Sequence, residues 1–63
     1  NMGRILNNIG FIAILRGDYE NAESYLLRAM EADPSFNEVA SRNLAYLKHV
    51  KELRDADSQA AKN

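Results

Sequence analysis

Apolar positions in this chain recur three and four residues apart, the period of a helix, and no stretch alternates with β-branched residues as a strand would. Punctuation cuts the pattern in two places. Gly17 follows an apolar run and precedes Asp18, which reads as a helix stop followed by the N-cap of the next helix. Asp33-Pro34-Ser35 makes a second break, because the residue before a proline is pushed out of the helical region. Three segments remain: about Gly3 to Arg16, Tyr19 to Ala32, and Ser35 onward. They predict an all-α fold, a helical hairpin plus a third, longer helix.

The three segments differ in how their apolar residues are arranged on a wheel of about 100° per residue. In the second, Tyr19, Ala22, Tyr25, Leu26, Ala29 and Met30 share one side, and Glu20, Glu23, Ser24 and Glu31 take the other. In the third, Phe36, Val39, Ala40, Leu44, Tyr46, Leu47, Val50 and Leu53 form one broad stripe that stops at Leu53. The closing "RDADSQAAKN" is polar and is expected to fray, with Ala and Gln carrying the helix part of the way. The first segment has two apolar faces. Ile5, Leu6, Ile9, Ile12 and Ala13 make the main, core-facing stripe; Phe11, Ile14 and Leu15 make a patch on the far side, mixed with Arg4, Asn7 and Asn8. A three-helix monomer buries one face, so the second patch is either ordinary exposed surface or the seat of a neighbour.

Length and composition narrow the picture. A chain of 63 residues is one domain at most, and at this size a core is marginal without a staple or a partner. There is no cysteine, hence no disulfide and no thiolate metal site, and the compartment stays open. Eight basic against nine acidic residues leave a net charge of -1, which argues against a nucleic-acid or anionic-membrane surface. The apolar run Ile9 to Leu15 is too short to cross a bilayer, and no secretory signal is visible. Asn1 ahead of Met2 reads as an internal boundary or a scar, so the chain is expected to be a piece of a longer protein.

Candidate chemistry is sparse. His49 has no second histidine to share a metal, and it falls on the polar side of its helix. Ser24, Ser35, Ser41 and Ser58 lack any activating context, and Gly10 and Gly17 belong to no phosphate-binding loop. No enzyme activity, cofactor or metal is expected. A DNA-reading helix-turn-helix would need a basic recognition helix, and the candidates are acidic or mixed.

One spacing carries more. Leu6-x2-Ile9-Gly10-x2-Ala13, then Ala22-x3-Leu26, Ala29 and Pro34, resembles the tetratricopeptide repeat, a helix–turn–helix unit of about 34 residues. The turn "GDYENA" and the ending "AMEADP" resemble it too, although Leu6, Ala13 and Leu26 stand where large aromatics are commoner. Small residues at Gly10, Ala13, Ala22 and Ala29 would let two helices approach closely. "NLAYL" from Asn43 echoes "NIGFI" from Asn8, an offset of 35 (43 minus 8), so the third helix is similar to the first helix of a following unit. The organisation this implies is a full repeat over 3–36, a terminal capping helix over 37–54 and a polar tail over 55–63. The motifs also resemble repeat proteins of bacterial tight-adherence (Flp) pilus assembly.

The resemblance implies a scaffold for protein–protein interaction. First-type helices of such repeats line a concave face that holds a peptide or helix, with asparagine gripping the bound backbone. Asn8 and Asn43 occupy equivalent places, and Asn43 lies inside an apolar stripe, so its amide needs either an internal partner or a ligand. Arg4 and Arg42 lie near the same faces and suit a carboxylate. With Phe11 and Leu15 these form the candidate partner-binding set: Arg4, Asn8, Phe11, Leu15, Arg42 and Asn43. The alternative is a structural cap or self-association element without a ligand groove. Self-association is expected to run through the first helix.

Overall fold

The computed structural model describes residues 1–61, with side chains through Gln59. Helix α1 spans Met2–Leu15, α2 spans Tyr19–Ala32, a single 3-10 turn covers Pro34–Phe36, and α3 spans Asn37–Ala61. The described residues contain no strand. The fold is all-α, a tight hairpin of two equal helices and a third helix almost twice as long.

Both breaks have a local cause. At the end of α1, Gly17 takes a φ of 81°, a left-handed conformation that glycine adopts freely. Its amide donates to the Ile14 carbonyl at 3.0 Å, and the Asp18 amide donates to the Ala13 carbonyl at 2.9 Å. These paired bonds are the Schellman closure, which satisfies carbonyls the helix end leaves open. Asp18 stands at the N-cap of α2, but its carboxylate accepts from the Asn21 side chain at 2.9 Å and makes no cap bond to the helix backbone. After α2, Asp33 is extended and its carboxylate accepts from the Ser35 amide at 3.0 Å and the Ser35 hydroxyl at 2.7 Å. Pro34 then opens the 3-10 turn, where its missing N–H costs nothing, and the turn feeds directly into α3.

The hairpin closes on small residues. A Cβ built on Gly10 would lie 2.8 Å from the Leu26 side chain and 3.3 Å from the Ala22 carbonyl oxygen, so only glycine allows this approach. Gly3 does the same work in the first turn of α1, at the other end, where a Cβ would meet that of Asp33 at 2.6 Å. The pair Asn1 and Asp33 ties this end, Asn1 Nδ2 donating to the Asp33 carboxylate at 2.7 Å. The core cluster is Ala13, Ile14, Ala22, Leu26 and Leu47, with Tyr19 and Leu44 packed against it. Ala29 and Ala40 are also fully buried.

The face expected for α2 is the one it buries: Ala22, Leu26 and Ala29 are inaccessible, and Tyr19, Tyr25 and Met30 are half-buried. The expectation for α1 requires correction. Its buried arc is Gly3, Leu6, Asn7, Gly10, Ala13 and Ile14. Ile5, Ile9 and Ile12, assigned to the core stripe, are 49%, 39% and 53% exposed, and Ile14, assigned to the outer patch, is 4% exposed. Close approach of α2 decides the matter: the backbones meet where Gly3, Gly10 and Ala13 leave room, and Ile14 lies on that side. Ile5, Ile9 and Ile12 are displaced from the contact, while Leu6 and Ile14 stay within it.

On α3 the stripe is narrower than expected. Ala40 and Leu47 are buried and Leu44 and Val50 half-buried, whereas Val39, Tyr46 and Leu53 are exposed. The helix runs past Leu53 to Ala61, through most of the segment expected to fray; positions 62–63 of that tail lie outside the described residues. One contact joins its polar stretch to the hairpin: the Arg54 guanidinium stacks over the Tyr19 ring at 5.1 Å.

Candidate functional site

Where α1 and α3 run side by side, they leave a shallow open groove of about 460 Å³ lined by Asn7, Asn8, Phe11, Ile12 and Asn43. Each lining residue comes from one of these two helices. Phe11, which lines it, pairs with Tyr46 of α3, ring centroids 6.4 Å apart and planes tilted by 33°, within the range of favourable aromatic pairs.

The polar feature of the groove is an amide pair. Asn43 Nδ2 donates to Asn7 Oδ1 at 3.0 Å. Asn7 is buried at 6% exposure and is the only buried polar residue among those described. An amide offers two donors and an acceptor with two lone pairs, so one mutual bond leaves capacity on both partners. Asn7 Nδ2 and Asn43 Oδ1 make no side-chain hydrogen bond within the described residues. Since no fully buried side-chain nitrogen or oxygen there lacks a partner, neither of these two atoms is fully buried. The pair thus keeps one donor and one acceptor without a side-chain partner, in a groove also lined by Phe11 and Ile12.

The structure brings three of the six candidate residues, Asn8, Phe11 and Asn43, into this groove. Arg4, Leu15 and Arg42 do not line it. Arg42 instead donates to the Glu38 carboxylate at 2.8 Å, with both side chains largely solvated, a pair of small energetic consequence. Asn43 makes an internal bond, with Asn7 and not with the register-equivalent Asn8. Sequence reasoning missed Asn7. The signal was on the wheel, where Asn7 falls about 20° from Ile14 and beside Gly3, inside the arc α1 buries.

A second groove of about 470 Å³ lies between α2 and α3. Leu27, Leu44 and Leu47 form its floor, and Glu23, Lys48, Lys51, Glu52 and Asp55 surround it. Among the described residues no group of three or more His, Asp or Glu side chains could hold a metal ion, and no helix is long and apolar enough to cross a membrane. Comparison with protein-family models, with curated proteins and with solved structures found no match.

Proposed function

We propose that this chain is a helical scaffold module that holds an extended peptide or a helix of a partner protein in the groove between α1 and α3. The observation that carries the reading is the Asn7–Asn43 pair, which keeps an amide donor and a carbonyl acceptor without a side-chain partner in a groove also lined by Phe11. A peptide unit presents the complement, one carbonyl and one N–H, and binding it needs no charge. No charged side chain lines the groove, which favours backbone over side-chain recognition. The resemblance to tetratricopeptide repeats supports the same face, since first-type helices line the concave side there. Its likeness to pilus-assembly proteins enters the proposal as the setting, a multiprotein machine in the cell envelope.

Selection of a random peptide library against the immobilised chain tests this, with counter-selection against Phe11→Ala. Enriched peptides should bind with dissociation constants of about 100 µM or tighter and perturb the backbone resonances of Asn7, Asn8, Phe11 and Asn43. Failure of any peptide to enrich, or binding mapped to α2, would end the groove reading.

The rival reading, a structural cap, draws on α3. Ser41, Ala45, Lys48 and His49 present a solvated outer face on this helix, which suits the end of a helical stack. A cap binds no peptide, so the same selection separates the two.

A further inference from the structure

At the offset of 35, α1 and α3 can be laid residue on residue, Phe11 falling on Tyr46 and Asn8 on Asn43. Their buried faces then turn out to be complementary. α3 rests on the hairpin through Ala40, Leu44 and Leu47, whose equivalents on α1 are Ile5, Ile9 and Ile12, all exposed. α1 receives α2 through Leu6, Gly10, Ala13 and Ile14, whose equivalents on α3 are Ser41, Ala45, Lys48 and His49, again all exposed. One end of the three-helix stack is therefore apolar and bare, and the other is polar.

From this asymmetry we infer that the Met2, Ile5, Ile9 and Ile12 stripe docks a second copy of this chain, α1 against α1, about a two-fold axis. Continuous head-to-tail stacking is opposed by the far end: there the stripe would have to settle over Leu27, Leu44 and Leu47 within a rim of Glu23, Lys48, Lys51, Glu52 and Asp55, and desolvating those charges is costly. Two bare ends have no such obstacle. Between Met2 and Ile12 the only charged residue is Arg4, which lies about 120° round the helix from the centre of the stripe. Arg16 shares the stripe's face but lies one turn past Ile12. With the helices antiparallel and the axis near Asn7, each Arg16 projects beyond the partner's Met2 and no like charges are buried.

The area sets the strength. Met2 is 60% exposed and the three isoleucines about half, which amounts to a few hundred Å² per chain. A two-fold pair counts that patch twice and still stays near or below the ~1,200 Å² at the low end of specific interfaces. The dimer is accordingly weak, with a dissociation constant on the order of 10⁻⁵–10⁻³ M.

Sedimentation from about 10 µM to 1 mM, on the wild-type chain and on Ile5→Lys, Ile9→Lys and Leu27→Lys, tests this inference independently of the peptide groove, to which none of the three positions belongs. The wild-type mass should climb from 7.1 kDa toward twice that value and no further. Ile5→Lys and Ile9→Lys should stay monomeric with unchanged helicity, and Leu27→Lys, in the α2–α3 groove, should dimerise like the wild type. A wild-type mass fixed at 7.1 kDa would overturn the inference and leave the stripe to a different partner, such as another helical hairpin. Masses beyond the dimer, or loss of association in Leu27→Lys alone, would overturn it in favour of head-to-tail stacking.

Discussion

Helix α1 and helix α3 are written in the same register, yet one is held by its small residues and the other by its large ones. α1 meets α2 across Gly3, Gly10 and Ala13 and leaves three isoleucines outside. α3 meets the hairpin with Leu44 and Leu47 and turns Ser41, Lys48 and His49 to water. The difference teaches that burial in this molecule follows how closely backbones approach. A hairpin joined by a short turn demands near-contact along its length, and residues without bulk make that possible. The third helix packs over the closed hairpin rather than against one helix along its length, and there branched side chains fill the space.

The largest expected effect comes from forcing bulk into the closer of the two contacts. Gly10→Leu has no room against Leu26 and should cost about 3 kcal/mol, enough to abolish a cooperative melt in a domain this small. The same change at the equivalent place on α3, Ala45→Leu, meets solvent and should stay within about 0.5 kcal/mol. Thermal denaturation of the two variants, followed by circular dichroism, measures the contrast. Equal losses would mean that the two helices do not bury opposite faces.

Truncating the large residues should reverse the order of sensitivity. Leu47→Ala removes a side chain that is 1% exposed and should cost roughly 2–4 kcal/mol, whereas Ile12→Ala, its equivalent on α1 at 53% exposed, should cost less than about 1 kcal/mol. Urea midpoints give the comparison, and a greater loss at Ile12 would contradict it.

Where the two helices meet, the amide pair supplies a smaller and more diagnostic effect. Asn43→Leu leaves the buried Asn7 amide short of its partner and should cost about 1–3 kcal/mol. Replacing both asparagines by leucine should recover much of the loss, because no stranded polar group remains. Asn8→Leu, at an exposed position, should change stability little. A double variant less stable than the sum of the single changes would show that the pair does more than satisfy itself.

The smallest expected effect lies at the tie between the hairpin's open end and the turn into α3. Hydrogen bonds from the Ser35 hydroxyl, the Asn1 amide and the Ser35 backbone N–H hold the Asp33 carboxyl below its ordinary value. A group with a lowered folded pKa stabilises the fold above its unfolded value and loses that contribution as pH falls through the folded one. The acid limb of stability should therefore steepen below about pH 4. Asp33→Asn should flatten it, a change read from melting temperatures between pH 2 and 6.

Much of this architecture was readable from the residues alone. Gly17 and Pro34 marked both breaks, because each acts through local geometry that no distant contact overrides, and the small residues of α2 marked the face against which other helices pack. The face of α1 was not readable from apolar bulk, since Ile5, Ile9 and Ile12 outweigh Gly3 and Gly10 on any hydrophobic scale while the packing runs the other way. For the groove, the register pointed to Asn8, Phe11 and Asn43, but pairing by repeat offset picked Asn8 where the buried arc of α1 presents Asn7. Hydrogen bonding across two helices depends on how they sit against each other, which a repeat offset does not encode.

The central claim is that α1 buries the side of Ile14 and leaves the side of Ile9 bare. Because the chain has no cysteine, single thiols can report this directly. At about 0.5 µM, well below the range of self-association, Ile9→Cys should react with a maleimide at close to the rate of an unstructured peptide. Ile14→Cys should react on the order of 100-fold more slowly, limited by opening of the fold. Equal rates, or a protected thiol at position 9 with a reactive one at 14, would contradict the account.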